Sequence, residues 1–107
     1  VLCDFDLRRP SMHHLLDIPR SPGLTEYLSG RASLGDILHK VEGLNLWVIP
    51  AGAAVLNPLE LLNLSEARDL IDNLNAEFNW VILDSPPLLF AADASLLATM
   101  CHGTLMV

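Results

Sequence analysis

Val1-Leu2-Cys3-Asp4-Phe5-Asp6-Leu7-Arg8-Arg9-Pro10 is the stretch that decides the fold. The apolar run Val1–Cys3 breaks off in two aspartates spaced i, i+2, followed by two arginines and a proline. A continuous apolar run suits a buried strand of a parallel sheet covered on both faces. If extended geometry continues to Asp6, both carboxylates project to one side, about 6.6 Å apart at about 3.3 Å per residue. Two such charges repel by roughly 2.5 kcal/mol at an effective dielectric of about 20. A cation, an arginine or protonation of one carboxyl relieves that repulsion. The stretch therefore reads as a place where a metal or a proton is handled.

Trp80-Val81-Ile82-Leu83-Asp84-Ser85-Pro86-Pro87 repeats the form: an apolar run, an aspartate, then a loop fixed by two prolines. Ligands of open parallel sheets bind at the carboxyl ends of the strands. If the two strands are neighbours, Asp4, Asp6 and Asp84 surround one crevice. The plainer alternative is that each aspartate only caps the loop leaving its strand, as this turn-favouring residue often does. Two such stretches in one short chain favour the crevice.

The chain has 107 residues, half of them apolar, enough for one domain at most. It opens directly inside one apparent strand and stops inside another, Thr104–Val107, and so reads as a piece of a larger domain. No run approaches the ~20 apolar residues that span a bilayer, and nothing resembles a signal peptide. The net charge is −7, with few basic residues clustered. This argues against a nucleic-acid surface and against direct binding to anionic lipid. Cys3 and Cys101 lie in apolar runs and read as buried free thiols of a reducing compartment.

Between the two motifs, Ser11 is placed to cap a short helix over Met12–Leu16. His13 and His14 are adjacent, so on a helix they diverge by about 100° and do not suit one metal. Asp17–Gly23 reads as a surface loop. Thr25 and Ser33 are expected as helix caps, Ser33 with Asp36 in a capping-box arrangement. Tyr27 is expected to pack its ring, and His39 and Lys40 to close the Ser33 helix. Leu44–Ile49 is the next strand, stopped by Pro50, with Gly52 allowing an unusual turn. Asn57, Pro58 and Glu60 spell a cap, a first helical position and a capping box. The turn either lines a nucleotide pocket or a subunit contact, or is only a well-made turn. Ser65–Phe78 is the clearest helix, with Leu70, Ile71, Leu74 and Phe78 on its apolar side and Glu66, Asp69, Asp72 and Glu77 in solvent. Its strand–helix–strand unit should cross over right-handedly. A last helix is expected from Asp93 or Ala94 to Met100.

These residues carry a resemblance. Val1–Pro10 resembles the second phosphate-site motif (Walker A′) of the bacterial tyrosine autokinases of capsule and exopolysaccharide synthesis, and Trp80–Pro87 resembles their Walker B motif. Pro22-Gly23-Leu24-Thr25, Gly30-Arg31-Ala32-Ser33-Leu34, Pro50-Ala51-Gly52 and Asn57-Pro58-Leu59-Glu60-Leu61-Leu62 are similar to the connecting segments in the same order. The wider relatives are the deviant P-loop ATPases of chromosome partition and division-site placement.

The resemblance implies an α/β fold, a P-loop NTPase-like three-layer arrangement of a parallel β-sheet with helices on both faces. Residues 1–107 would form part of one such domain. It implies ATP and Mg2+ as cofactors, with Asp4 and Asp84 at magnesium directly or through water. Asp6 would bond a metal water or take the tyrosine proton, and spacing does not divide its role from that of Asp4. Arg8 would pair with Asp6, steer phosphate or stay at the surface, and Ser85 and Pro86 would border the nucleotide. No G-x-x-x-x-G-K-[ST] loop occurs, so the 107 residues alone are expected to bind ATP weakly. The implied activity is transfer of the ATP γ-phosphate to tyrosine. The implied setting is cytoplasmic, at the inner face of the plasma membrane, in a homo-oligomer with a membrane-bound polysaccharide co-polymerase or activator region. A partition-type ATPase switch and a catalytically dead assembly domain are the alternatives.

Overall fold

The structure, a computed structural model, describes residues 1–87 and 92–106. Its centre is β1 (Leu2–Asp4). Cys3 and Asp4 are both fully buried, although successive strand residues point to opposite faces. Both sides of this strand are therefore covered, as its unbroken apolar run requires. On one side it pairs in parallel with β3 (Leu46–Ile49), Leu2 opposite Val48 and Cys3 opposite Ile49. On the other it pairs in parallel with β4 (Ile82–Asp84), in the register Leu2–Ile82, Cys3–Leu83 and Asp4–Asp84.

A fourth strand, β2 (His39–Val41), runs antiparallel to β3, so the sheet is mixed and its order is β2-β3-β1-β4. This corrects two expectations. The sheet is not wholly parallel, and His39 and Lys40 do not close a helix. The helix before them, α3 (Leu34–Ile37), keeps its Ser33–Asp36 capping box but ends at Leu38, whose backbone is extended. The chain then enters a hairpin with β3 through Gly43, at φ 79°. Lys40 lies opposite Trp47, its ammonium 5.9 Å from the ring centroid, a cross-strand contact that favours this pairing.

The remaining helices are α1 (Met12–Leu15), α2 (Leu24–Leu28), α4 (Pro58–Leu62), α5 (Ser65–Glu77) and α6 (Ala92–Ala98). Leu70, Ile71 and Leu74 of α5 are buried and Phe78 is half-buried, while Glu66, Asp69, Asp72 and Glu77 are exposed, as the periodicity predicts. With Cys3, Phe5, Leu24, Ile37, Ile49 and Leu62 they form one continuous core, against which Tyr27 packs. The path β3–α4–α5–β4 passes over β1, because β1 lies between the two strands it joins.

Several caps differ from expectation. Ser11 makes no side-chain cap bond, and Asn57 occupies its cap position without one, so no capping box forms with Glu60; Pro58 does take the first turn. Thr25 lies inside α2, whose cap position is Gly23. Thr104–Met106 form no strand, and Val107 lies outside the described residues. Cys101 is exposed rather than buried, and both cysteines are free. Among the described residues no helix is long and apolar enough to cross a membrane.

Candidate active site

The three parallel strands end at one edge of the sheet, at Asp4, Ile49 and Asp84. Residues in parallel register project to the same face, from strands about 4.8 Å apart. Asp4 and Asp84 are thus brought together across 80 positions of chain, and the Phe5 amide bonds the Asp84 carbonyl at 2.8 Å just beyond them.

The two carboxylates have opposite surroundings. Asp4 is fully buried and accepts three backbone amides at 3.2 Å each: Asp6 on Oδ1, Ser11 and Met12 on Oδ2. Burial pushes its carboxyl up, and the amides of Met12, Asp6 and Ser11 pull the other way. Asp84 is exposed, and no hydrogen bond to its carboxylate forms among the described residues. Two of the next three residues, Pro86 and Pro87, have no N–H to offer it. Desolvation raises the Asp84 carboxyl, and the negative charges of Asp4 and then Asp6 raise it further. Asp6 is half-buried and accepts the Arg9 amide at 3.0 Å. Ser85 donates its hydroxyl to the Pro86 carbonyl at 3.2 Å; Ser85 is exposed and Pro86 buried.

Arg8 is neither paired with Asp6 nor free for phosphate. Its guanidinium forks onto Asp93 at the start of α6, Nε to Oδ2 at 2.9 Å and a terminal nitrogen to Oδ1 at 3.2 Å. Asp93 is fully buried, so a charge-assisted fork is what makes its burial tolerable. Asp93 was expected only to begin a helix. Nothing in the local sequence marks it as the partner of an arginine 85 positions away.

Magnesium fits this edge in a specific way. Among the described residues no three His, Cys, Asp or Glu side chains converge as a complete metal cage. Magnesium usually keeps several waters and takes one or two carboxylates plus phosphate oxygens. An exposed aspartate held up by two like charges, with no bond to its carboxylate, is the donor such an ion needs. Asp84 meets that description, and the half-buried Asp6, with only Oδ1 engaged, is more open to such an ion than the enclosed Asp4.

No protein-family profile matches the chain. A putative tyrosine-protein kinase in the cps region of Klebsiella pneumoniae is 36% identical over 107 residues, all of this chain and 15% of that protein. The solved kinase domain of Escherichia coli tyrosine kinase ETK superposes with a TM-score of 0.89 at 33% identity, covering 92% of this chain and 39% of that one. The septum site-determining protein MinD of Pyrococcus horikoshii, solved with Mg-ADP, superposes at 0.72 with 19% identity, covering 92% and 40%; at that identity it shares the fold alone. The architecture is thus that of the P-loop NTPase-like nucleotide-binding proteins. Within that class the curated relatives it matches are bacterial tyrosine-protein kinases, several of them of capsule loci. It spans 15% of the Klebsiella kinase's length.

Proposed function

We propose that this chain is part of one P-loop kinase domain and supplies the metal-facing carboxylates of an ATP site that phosphorylates tyrosine. The observation that carries the reading is the Asp4–Asp84 register: two apolar strands, each ending in aspartate, pair side by side at the carboxyl edge. The likeness to tyrosine kinases along the whole chain supports it.

Magnesium held there would neutralise the β- and γ-phosphate oxygens of ATP, the main demand of phosphoryl transfer. Asp84 would hold it, directly or through water, with Asp6 beside it as a water ligand or as acceptor of the tyrosine proton. Asp4 acts from behind, tying the loop that carries Asp6 to the start of α1 through its three amide bonds. Ser85 and Pro86 border the nucleotide. Arg8, with its guanidinium committed to Asp93, serves the site by holding α6 against the loop after β1. The proposed setting is cytoplasmic, at the inner membrane face, in a homo-oligomer working with a membrane-bound polysaccharide co-polymerase or activator region.

In the full-length protein, Asp84→Asn should abolish magnesium-dependent phosphotyrosine while leaving the circular dichroism spectrum unchanged. Phosphotyrosine at wild-type level in that variant would refute the assignment.

A further inference from the structure

Away from the aspartates, the chain contains a second arrangement too complete to be incidental. The turn Pro50–Ala53 leaves the carboxyl end of β3, the strand beside β1. Five of its backbone N–H and C=O groups bond to residues 20–26, and a sixth, the Ala53 carbonyl, lies beside the Thr25 hydroxyl. The Pro50 carbonyl accepts the Leu24 amide at 2.9 Å, and the Ala51 carbonyl accepts that of Thr25 at 3.0 Å. Those are first-turn amides of α2, which have no partner within the helix. The Gly52 amide donates to the Arg20 carbonyl at 3.0 Å, and the Gly52 carbonyl accepts Arg20 Nε at 2.8 Å. The Ala53 carbonyl lies 2.9 Å from the Thr25 hydroxyl. The Ala53 amide donates to both carboxylate oxygens of Glu26, at 2.9 and 3.2 Å.

Glu26 is the hub of this arrangement. It is 8% exposed and also receives the Ser21 hydroxyl at 2.6 Å and that of Thr25 at 2.7 Å. No cation pairs with it among the described residues, so amide and hydroxyl donors alone hold its charge. Hydrogen bonds to the ionised form outweigh burial and keep its carboxyl below the usual glutamate range. The backbones close around it: Gly52 sits at φ 89°, and a side chain there would strike Thr25 and Glu26. A side chain on Gly23 would strike the Gly52 amide and the Pro50 carbonyl. The turn leaves the carboxyl end of β3, where open α/β sheets place their ligands.

We infer that Glu26 is a positioning residue, whose carboxylate fixes the Pro50–Ala53 turn as a rigid wall of the nucleotide crevice beside β1. This deepens the kinase reading and rests on it for the identity of the ligand. Glu26→Gln conserves shape but presents an amide nitrogen to donors, so one of its contacts must break and the turn loosens. Loss of uniform binding raises KM and leaves kcat alone.

The test uses the full-length protein, with Ser21→Ala as a milder variant that removes one surface donor. In Glu26→Gln, hydrogen exchange at the Gly52 and Ala53 amides should rise at least tenfold while the amides of β1 keep wild-type protection. KM for ATP should rise roughly fivefold or more with kcat within about twofold, and Ser21→Ala should fall between. Unchanged exchange in the turn overturns the clasp. Loosened exchange with unchanged KM, or an equal loss in kcat, overturns the positioning role. If the wild-type protein lacks kinase activity, the kinase reading falls while the exchange comparison still decides the clasp.

Discussion

Two aspartates with the same sequence signature should respond in opposite ways to the same substitution. Asp4→Asn keeps the shape of the side chain, and its single oxygen can still accept at Oδ2, where Ser11 and Met12 donate. The new NH2 group then faces the Asp6 amide, donor against donor. An unsatisfied buried donor costs about 1–3 kcal/mol, and weakening two charge-assisted bonds to neutral ones adds about 1 kcal/mol more. Removing the charge returns part of this, because burial already disfavours ionised Asp4. The expected loss is about 2 kcal/mol. Asp84→Asn breaks no hydrogen bond among the described residues and relieves repulsion from Asp4 and Asp6. Its stability should stay within about 0.5 kcal/mol of wild type, the usual range for an exposed site. Urea titration followed by circular dichroism measures both. Adding magnesium and ATP at about 100 times Kd should stabilise wild type and Asp4→Asn by about 2.7 kcal/mol, and Asp84→Asn hardly at all. Equal losses in the two variants, or a cost above about 1 kcal/mol for Asp84→Asn, would refute the division between a buried tie and a free ligand.

Gly52→Ala should cost about 3 kcal/mol or more in urea titration, because φ 89° and contact with Thr25 and Glu26 act together. Gly23→Ala should cost at least as much, since its side chain meets backbone rather than a flexible chain end. Glu26, held below its ordinary range, leaves the native state with fewer bound protons than the unfolded chain; its stabilisation is present above about pH 4.5 and is lost as pH falls through the depressed value. Asp84 has the opposite sign: the native state binds more protons, so its contribution declines as pH rises from about 3.8 through the raised value. Thermal melts between about pH 3 and 6 should therefore show less acid destabilisation for Glu26→Gln, and less decline on the rising side for Asp84→Asn. For the Arg8–Asp93 fork, Arg8→Ala should lower the melting temperature more than Asp93→Ala. The first leaves a fully buried carboxylate without its partner, whereas the second strands only a half-exposed guanidinium, so a larger drop in Asp93→Ala would reverse this account of where the burden lies.

That last pair raises the question of which contacts the chain announces locally. The cores of β1, β3 and β4 were legible because a buried parallel strand carries its signal within itself, an apolar run stopped by Asp or Pro. α5 was legible for the same reason at a period of 3.6. β2 was not. His39-Lys40-Val41 is three residues long, and its pairing with Leu46–Val48 decides its conformation; read alone, a histidine and a lysine after Ile37 and Leu38 suit a helix end equally well. Thr25 was misplaced for a related reason. The cap of α2 comes from the carbonyls of Pro50 and Ala51, so the residue with the best local capping chemistry was free to move inside.

The site obeys the same division. An apolar run ending in aspartate marks the carboxyl end of a strand; it says nothing about what the carboxylate will do there. That is settled by the donors the next segment brings back. After Asp4 the chain turns into α1 and returns the amides of Ser11 and Met12 to the carboxylate. After Asp84 come two prolines, which have no amide hydrogen to return. One aspartate is thereby consumed by the fold, and the other is left beside two like charges without a partner among the described residues. Those prolines are thus the local feature that separates the two aspartates. If Pro86→Ala and Pro87→Ala together let a loop amide bond Asp84, its carboxyl should titrate lower by NMR and magnesium should bind more weakly. An unchanged titration together with unchanged magnesium affinity would show that the missing donors are not what keeps Asp84 free.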